Sequence, residues 1–349
     1  MNLKKKSVII LAVIIFGLGA FYLALFKLII LNDLAKMEMD QAEKNIVRLE
    51  SILNSNLKTM EKKSLDWSSW DDTYDYAKSG DSDYIETNLQ VNTFTDMGID
   101  LFAILDTEER YKTVSQYNLS ENKSIQPTQE DKDSLADAVA GLEEDEGITG
   151  FLSYQNQPIA LSIQPIFTTN GDGPSRGHLV MGRFIDQEYL NNVSSIVLSD
   201  SKVSLKANHD NDDLYGQALK ELESGTDIYT SDKLDEENII GLSFYRGINQ
   251  DNLLLTEVKI SRVLFSQAEQ DMLYFNVFAM VAMLLCGWAM YHFVSRSIID
   301  RITNLSNFMS VSNHEGTLGA RVTPEGSDEI TELEESINGL IDQATKPKK

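Results

Sequence analysis

The chain has 349 residues, with 30 lysines and arginines against 54 aspartates and glutamates, and a formal net charge of −24. Its hydrophobic fraction of 42% is too high for a disordered chain, and its acidity argues against a nucleic-acid binder, which needs a basic face. The single cysteine, Cys286, excludes a disulfide scaffold and a cysteine-based metal site. The four histidines are scattered, so we expect neither a metal nor another cofactor.

Two apolar runs divide the chain. Val8–Phe26 contains no charged residue and, as a helix, spans about 28 Å, close to the thickness of a bilayer core. Met272–Val294 is equally free of charge and carries Trp288 near one end, where a membrane interface favours it. We therefore predict membrane helices at residues 8–31 and 272–294. The alternatives are a cleaved signal peptide, for which the first run is too long, and a buried core helix for the second.

The flanking charges predict the orientation. Lys4, Lys5 and Lys6 precede the first run, and Arg296 and Arg301 follow the second. Because basic residues favour the cytoplasmic side, both termini are expected in the cytoplasm and residues 32–271 outside an inner membrane, with the bilayer as a partner.

The outer segment carries most of the acid, with 20 basic and 45 acidic residues. A solubilising surface explains this charge. The alternative is a site for a cation, for which Asp210–Asp213 and Asn170–Gly173 supply oxygen ligands without the spacing of an EF-hand loop.

A long helix opens the outer segment. No glycine or proline occurs between Gly19 and Gly80, so a helix can run from the membrane outwards. Within it an apolar stripe recurs at spacings of three and four residues: Ile46, Leu49, Leu53, Leu57 and Met60. We expect this stripe to pack on a sheet or on the same helix of a second copy.

The residues after Gly80 alternate between strand and helix patterns. Thr128 and Asp131 form a capping box that begins a helix ending at Gly141. Strands are predicted at 99–105, from 111, and at 148–154, 159–167 and 178–185, the last two joined by a hairpin loop at 168–177. Strands at 195–205, 226–230, 239–245 and 253–260 and a helix at 214–223 then form a second subdomain or complete the first. The fold class is α+β with antiparallel strands.

Aromatic and acidic residues concentrate in one block, DWSSWDDTYDYA. On a single helix Trp67, Trp70 and Tyr74 share one face, with Asp71 beside them. Two interpretations remain open, an aromatic core stripe and a ligand wall suited to a cation or an amine.

The same block, followed by DYIETNLQVNTF and IDLFAILD and later by the Gly177–Arg183 block GHLVMGR, resembles the CHASE4 family of extracellular sensory domains. The resemblance covers residues 65–187. It implies a PAS/Cache-like sheet behind a long N-terminal helix and a sensory role without catalytic residues. The candidate pocket residues are Trp67, Trp70, Asp71, Tyr74 and Arg183. They fit equally a packing signature with a buried Asp–Arg pair.

Two short apolar seams follow the second membrane run: Ile298, Ile302, Leu305 and Met309, then Ile330, Leu333, Ile337 and Leu340. With the connector Gly316-x-Leu318-x-x-x-Val322 and the helix start at Glu329, residues 295–344 resemble a HAMP domain. That family builds a four-helix bundle in a homodimer. Its usual proline early in the first helix is missing here. The predicted relay residues are Leu318, Val322, Glu329, Ile330, Leu333, Ile337 and Leu340.

We therefore expect a transmembrane receptor that detects a small-molecule or periplasmic ligand. The predicted order is a cytoplasmic start at 1–7, the outer domain at 32–271 between the two membrane helices, the relay at 295–344 and a tail at 345–349. The chain is expected to be a sensor and relay rather than an enzyme, with an output module absent or in trans; the resemblance suggests a diguanylate cyclase or histidine kinase. The alternatives are a membrane-anchored binding or scaffold protein and an outward-facing hydrolase.

Overall fold

The computed structural model describes residues 3–209, 215–235, 237–249, 252–315 and 321–345. They fall into two compact units, Leu34–Leu264 and Met1–Asp33 with Phe265–Lys349. π-helical segments follow α1 at Lys27–Leu31 and α9 at Ser295–Ile299. The helices are α1 (Leu3–Phe26), α2 (Asn32–Ser68), α3 (Asp71–Ser79), α4 (Ser82–Asn88), α5 (Val91–Met97), α6 (Gln129–Ala140), α7 (Gln187–Val197), α8 (Gly216–Glu223), α9 (Val263–Val294), α10 (Asp300–Glu315) and α11 (Glu329–Thr345).

The strands of the unit Leu34–Leu264 form two antiparallel sheets. The larger has the order β3-β2-β1-β6-β5-β4 and the smaller the order β7-β10-β9-β8. The strands are β1 (Leu101–Leu105), β2 (Tyr111–Asn118), β3 (Lys123–Ile125), β4 (Ile148–Tyr154), β5 (Gln157–Pro165), β6 (His178–Phe184), β7 (Asp200–Leu205), β8 (Ile228–Ser231), β9 (Asn238–Arg246) and β10 (Asn252–Ser261).

Helix α2 packs against both sheets. Its predicted stripe is buried from Ile46 to Met60, which confirms the periodicity argument. The stripe belongs to one core cluster with residues of α7, the larger sheet and the smaller sheet: Phe151, Ala160, Leu190, Val193, Val203, Leu205, Leu254 and Val258. A single amphipathic helix therefore supplies the surface on which both sheets bury apolar side chains.

Different helices pack on the two faces of the larger sheet. Phe102 and Ile104 of β1 pack with the aromatic residues of α3 to α5. Leu101 and Leu105, which point the opposite way, pack with Leu135 of α6. This alternation, together with the second sheet, confirms the predicted α+β class.

The predicted capping box at the start of α6 is present. The Thr128 hydroxyl accepts a hydrogen bond from the Asp131 N–H, and the Asp131 carboxylate accepts one from the Thr128 N–H. Both partners lie within four residues, so local chemistry alone defines this helix start.

Residues 188–264 contain a sheet of their own, which shares a core cluster with the larger sheet. Strands β8, β9 and β10 lie within two residues of the predicted ranges. Helix α8 covers one face, where Leu219 and Leu222 pack on Leu242 and Leu255.

The strand predicted at residues 195–205 is wrong in its first five residues. Residues 195–197 of the predicted strand at 195–205 lie in α7, and only Asp200–Leu205 is extended. Leu190, Val193 and Val197 recur at helical spacing and are buried, and the Asp186 side chain caps the helix start. The β-branched composition of this segment suits a strand, but tertiary burial selects the helix.

The aromatic block does not lie on one helix, contrary to the prediction. Helix α2 ends at Ser68, and Trp70 has extended backbone angles as the residue before α3. The Ser68 carbonyl accepts a hydrogen bond from the Phe167 N–H at 3.0 Å. Trp67 and Tyr74 therefore sit on two successive helices, separated by a break that pairs with the end of the larger sheet.

The glycines of the Gly177–Arg183 block have a steric cause. Gly177 has φ of 111°, and a Cβ there would lie 2.0 Å from the Leu105 carbonyl oxygen. At Gly182 a Cβ would meet the Ile159 side chain at 2.8 Å. The spacing of these glycines therefore follows from close packing of β6 on its neighbours.

An ion-pair group joins the start of α2 to the end of β10. The Arg262 side chain lies 3.4 Å from Glu38 and 3.4 Å from Asp232. Arg262 and Glu38 are both largely buried, so these charges are protected from screening by salt.

The unit formed by the chain ends is helical in its described residues. By length and composition, two helices are able to cross a membrane, one containing α1 and the other α9. They approach each other at Tyr22 and Phe275, whose ring centroids are 5.7 Å apart. Downstream, Arg301 of α10 binds Glu334 of α11, which ties the two short helices together within one chain.

Candidate functional site

The two tryptophans of the aromatic block meet. The Trp67 and Trp70 rings stack with centroids 4.7 Å apart, and the Trp67 ring contacts Phe102 of β1 edge-on at 5.6 Å. Both indoles are partly exposed. The stack therefore joins the helix break to the face of the larger sheet that α3 to α5 also cover.

Asp71 and Tyr74 hold the loop between β5 and β6. Asp71 Oδ1 accepts a hydrogen bond from the Thr169 N–H at 2.9 Å, and the Tyr74 hydroxyl donates to the Pro174 carbonyl at 3.1 Å. The Arg176 guanidinium lies 3.6 Å from the centre of the Tyr74 ring and donates to the Tyr74 carbonyl. These contacts give the block a packing role that requires no ligand.

Arg183 has different partners from the rest of the predicted set. Its guanidinium lies 3.5 Å from Asp100 and 3.9 Å from Asp186. A buried Asp–Arg pair therefore exists, but its carboxylate is Asp100 and not Asp71. The sequence did not single out Asp100, although it is the second residue of the quoted stretch IDLFAILD that contains β1.

Asp100 is the most enclosed charge of this pair, with 2% of its side chain exposed against 12% for Arg183. It accepts hydrogen bonds from the Phe184 N–H at 2.8 Å and the Leu119 N–H at 3.3 Å. Burial raises the pKa of Asp100, and Arg183 and the two N–H groups oppose that rise. The pair fixes the end of β6 to the turn after β2.

Arg183 also lines a groove of about 470 Å³ beside α2. On one wall the Lys63 ammonium donates to the Met97 carbonyl at 2.6 Å, and Asn56 donates to the Tyr189 hydroxyl at 2.6 Å. Burial raises the pKa of Tyr189, so its phenol stays protonated at neutral pH. The remaining lining includes both polar and apolar groups: Thr59, Met60, Thr95, Gly98, Ile99, Leu119, Ala160 and Glu188.

Sequence reasoning missed the groove, although α2 carried a signal for it. Asn56, Thr59 and Lys63 recur at spacings of three and four residues, so they form a polar strip beside the apolar stripe. Such a strip has the chemistry of a wall that faces a wet cavity. Of the predicted pocket residues, Arg183 lines this groove, and the Trp67–Trp70 stack, Asp71 and Tyr74 are absent from its lining.

The candidate cation sites have different outcomes. Asp210–Asp213 lies outside the described residues. In the 168–177 loop, the Asp172 N–H donates to the Thr168 hydroxyl and its carbonyl accepts from the same hydroxyl. Among the residues that the structure describes, no group of three or more potential ligands is placed to hold a metal ion.

The predicted relay residues lie on or beside α11, except Leu318, which falls outside the described ranges. Val322 exchanges two backbone hydrogen bonds with the Asn338 side chain at 2.9 and 2.7 Å. Glu329 begins α11, Ile330 is partly buried and Ile337 is buried within the chain. Leu333 and Leu340 are 49% and 64% exposed, so half of the second seam presents apolar surface outwards.

Arg301 organises the start of α11. It donates to both oxygens of Asp328 at 2.8 and 2.9 Å, to Glu334 and to Thr331. Hydrogen bonds from Arg301 lower the pKa of Asp328 to about 2. From the sequence, Arg301 is only one of the basic residues that follow the second apolar run.

We predict that Asp100→Asn destabilises the unit Leu34–Leu264 by about 3 kcal/mol, because it leaves the Arg183 charge buried without its main partner. Asp71→Asn, the matched control on an exposed side chain, is expected to cost less than about 1 kcal/mol. Denaturant unfolding of the full chain followed by tryptophan fluorescence measures both. Equal losses for the two variants would contradict the assignment of Asp100 as the structural carboxylate.

Similarity to known proteins indicates the family of this part of the chain. Residues 52–204 match the family model of the CHASE4 domain. The methanogenesis regulatory histidine kinase FilI of Methanothrix harundinacea (strain 6Ac) is 23% identical over 297 residues, which are 83% of this chain and 32% of that protein. The chain thus spans about a third of the length of this curated relative.

Solved structures that resemble part of the chain include one extracellular and one periplasmic domain. The extracellular domain of vpHK1S-Z8 has a TM-score of 0.49 at 13% identity and covers 67% of this chain and 98% of its own. The periplasmic domain of Vibrio cholerae LuxQ has a TM-score of 0.41 at 13% identity and covers 63% and 99%. The family match agrees with the resemblance seen at residues 65–187 and extends it at both ends. Residues 52–204 thus match the CHASE4 family of sensory domains and lie between two helices of membrane-spanning length, an arrangement consistent with a transmembrane sensory receptor.

Proposed function

We propose that this receptor detects a small molecule outside the cytoplasm and passes the signal to a cytoplasmic helical bundle of the HAMP type. The observation that carries the proposal is the position of the CHASE4 domain between two helices of membrane-spanning length. Basic residues flank the far ends of both helices, which favours cytoplasmic termini and an outer domain at residues 32–271.

We propose a histidine kinase module as the output that the bundle controls. The support is the similarity to FilI, whose name describes a histidine kinase and of which this chain spans about a third. The 349 residues would then correspond to sensor and relay. A diguanylate cyclase output is the other expectation from the sequence.

We propose the groove beside α2 as the ligand site. It combines a concave surface of about 470 Å³ with convergent polar groups from α2, β6 and α7, which is typical of small-molecule sites. Lys63 and Arg183 contribute positive charge and Glu188 negative charge. A ligand there would touch α2 directly, and α2 is the helix that leads back to the first candidate membrane span.

The aromatic block remains a second candidate site, since the Trp67–Trp70 stack is partly exposed and Asp71 lies beside it in sequence. We therefore predict different results for variants of the two places. A compound from a metabolite screen that raises the Tm of the full chain should lose its effect in Lys63→Met, because the groove loses its ammonium. It should keep its effect in Asp71→Ala.

Lys62→Met serves as the matched control, because Lys62 is the neighbouring residue of α2 and is exposed. Thermal shift against ligand concentration is measured for all four proteins. Loss of the shift in Asp71→Ala with retention in Lys63→Met would move the ligand site to the aromatic block.

We propose that the cytoplasmic helices form a homodimer. The support is the apolar surface left outwards by Ile298, Ile302, Leu333 and Leu340, which occupy a and d positions of the two seams. Pairing with a second copy removes this surface from water. A bundle with two alternative packings would let a small displacement of α9 change the output.

We predict that Leu333→Asp abolishes most of the dimer, because it places a carboxylate in the apolar interface. Ser336→Asp, an exposed position off the seam, introduces the same charge as a control. Both changes are tested in a Leu340→Cys, Cys286→Ser background, in which a disulfide between two copies is scored by non-reducing electrophoresis. An unchanged cross-link in Leu333→Asp would contradict the proposed interface.

The orientation is tested with single cysteines. Lys58→Cys and Glu332→Cys are made separately in a Cys286→Ser background, since both positions are exposed. A membrane-impermeant maleimide should label Lys58→Cys on intact cells and Glu332→Cys only after permeabilisation. Labelling of both positions on intact cells would refute the transmembrane arrangement.

A further inference from the structure

The smaller sheet contains a second, polar cavity, on its edge strand β7. It measures about 280 Å³, and its lining includes Asp200, Lys202, Tyr215, Glu257 and Lys259. The strand register pairs Lys202 with Glu257 and Asp200 with Lys259 across β7 and β10. Directly opposite residues of an antiparallel pair share a face, so the four charges line the same side of the sheet.

Glu257 is buried in this cavity with one oxygen poorly satisfied. The residue is 3% exposed, and its Oε2 accepts a hydrogen bond from the Tyr215 hydroxyl at 2.8 Å. Within the described part of the chain, Oε1 accepts no hydrogen bond, and its nearest cation is the Lys259 ammonium at 3.6 Å. A buried carboxylate oxygen without a donor is costly, so the site favours an incoming N–H group.

The charges around the cavity alternate in sign. Two carboxylates and two ammonium groups cancel, so an ion of one sign would meet as much repulsion as attraction. A molecule that carries both signs can place its ammonium against Glu257 and its acid group against Lys202. Lys202 is exposed, which puts the acid-binding end at the mouth and the ammonium-binding end at the floor.

The volume limits the size of the occupant. At about 280 Å³ the cavity lies just below the roughly 300 Å³ at which pockets for drug-sized ligands begin, so it suits a smaller molecule. We propose that this cavity binds a small zwitterion with a primary ammonium and an acidic group. The site is separate from the groove beside α2, since the two linings have no residue in common.

The cavity lies on the strand that leads into α9, so a bound ligand contacts the chain close to the second candidate membrane span. Glu257 and Lys259 belong to β10, and α9 begins at Val263, four residues after Lys259. A ligand that bridges β7 and β10 stabilises the strand that leads into the second candidate membrane span. The inference does not depend on which ligand the groove beside α2 takes.

The test uses the full chain in lipid nanodiscs and isothermal titration calorimetry. The probes are glycine, L-alanine and 2-aminoethanesulfonate as zwitterions, with methylammonium and acetate as single-charge fragments. We expect saturable binding of at least one zwitterion at millimolar concentration or below, and weaker binding of both fragments. Absence of binding by all three zwitterions overturns the proposal, as does equal affinity for methylammonium alone.

Variants locate the site. Glu257→Gln removes the buried charge with little change in shape, and Lys202→Met removes the charge at the exposed mouth, where folding is not at risk. Each should weaken zwitterion affinity by at least about tenfold, the size of one lost charge-assisted hydrogen bond. Glu188→Gln makes the same change in the groove beside α2 and should leave this affinity unaltered.

Unchanged affinity in Lys202→Met overturns the proposal even if Glu257→Gln fails to fold. Loss of affinity in Glu188→Gln, with retention in Lys202→Met, would assign the zwitterion to the groove beside α2. The groove proposal is tested separately by the thermal shifts of Lys63→Met. The two proposals can therefore fail independently.

Discussion

Burial of one helical stripe against two sheets is the constraint on which the unit Leu34–Leu264 depends. Ile46, Leu49 and Leu53 lie in the same core cluster as side chains of both sheets and of α7. Among the described residues of this unit, no other helix is of comparable length. Because packed cores are close to crystalline density, a rotation or shift of α2 must be matched by both sheets. A ligand that touches α2 therefore acts on the whole unit.

Local patterns predicted much of this fold. The stripe on α2, the capping box of α6 and most strands were correct, because each depends on neighbours a few residues apart. The relation between the two sheets was not readable, since β7 pairs with β10 and not with the strand that follows it in sequence. Part of α7 was predicted as a strand because its β-branched residues favour strands. Burial of α7 in the core cluster of α2 selects the helix.

The candidate site was predicted less well than the fold, and for a physical reason. The sequence singled out Trp67, Trp70 and Asp71 by their density, but it could not show that the helix breaks at Ser69 or that Arg183 pairs with Asp100. Ion pairs between residues far apart in sequence leave no periodic signal. The polar strip on α2 did leave one, at helical spacing beside the apolar stripe, and it marks one wall of the groove.

The ion-pair group of Glu38, Asp232 and Arg262 has a mechanical consequence. It links the first turns of α2 in this unit, at Glu38, to the residue just after β10, at Arg262. These are the two ends of the unit Leu34–Leu264. Tension applied through the two adjoining helices would load this fastening before it reached the edges of the sheets. A pull on one of these helices would therefore reach the other through these three side chains.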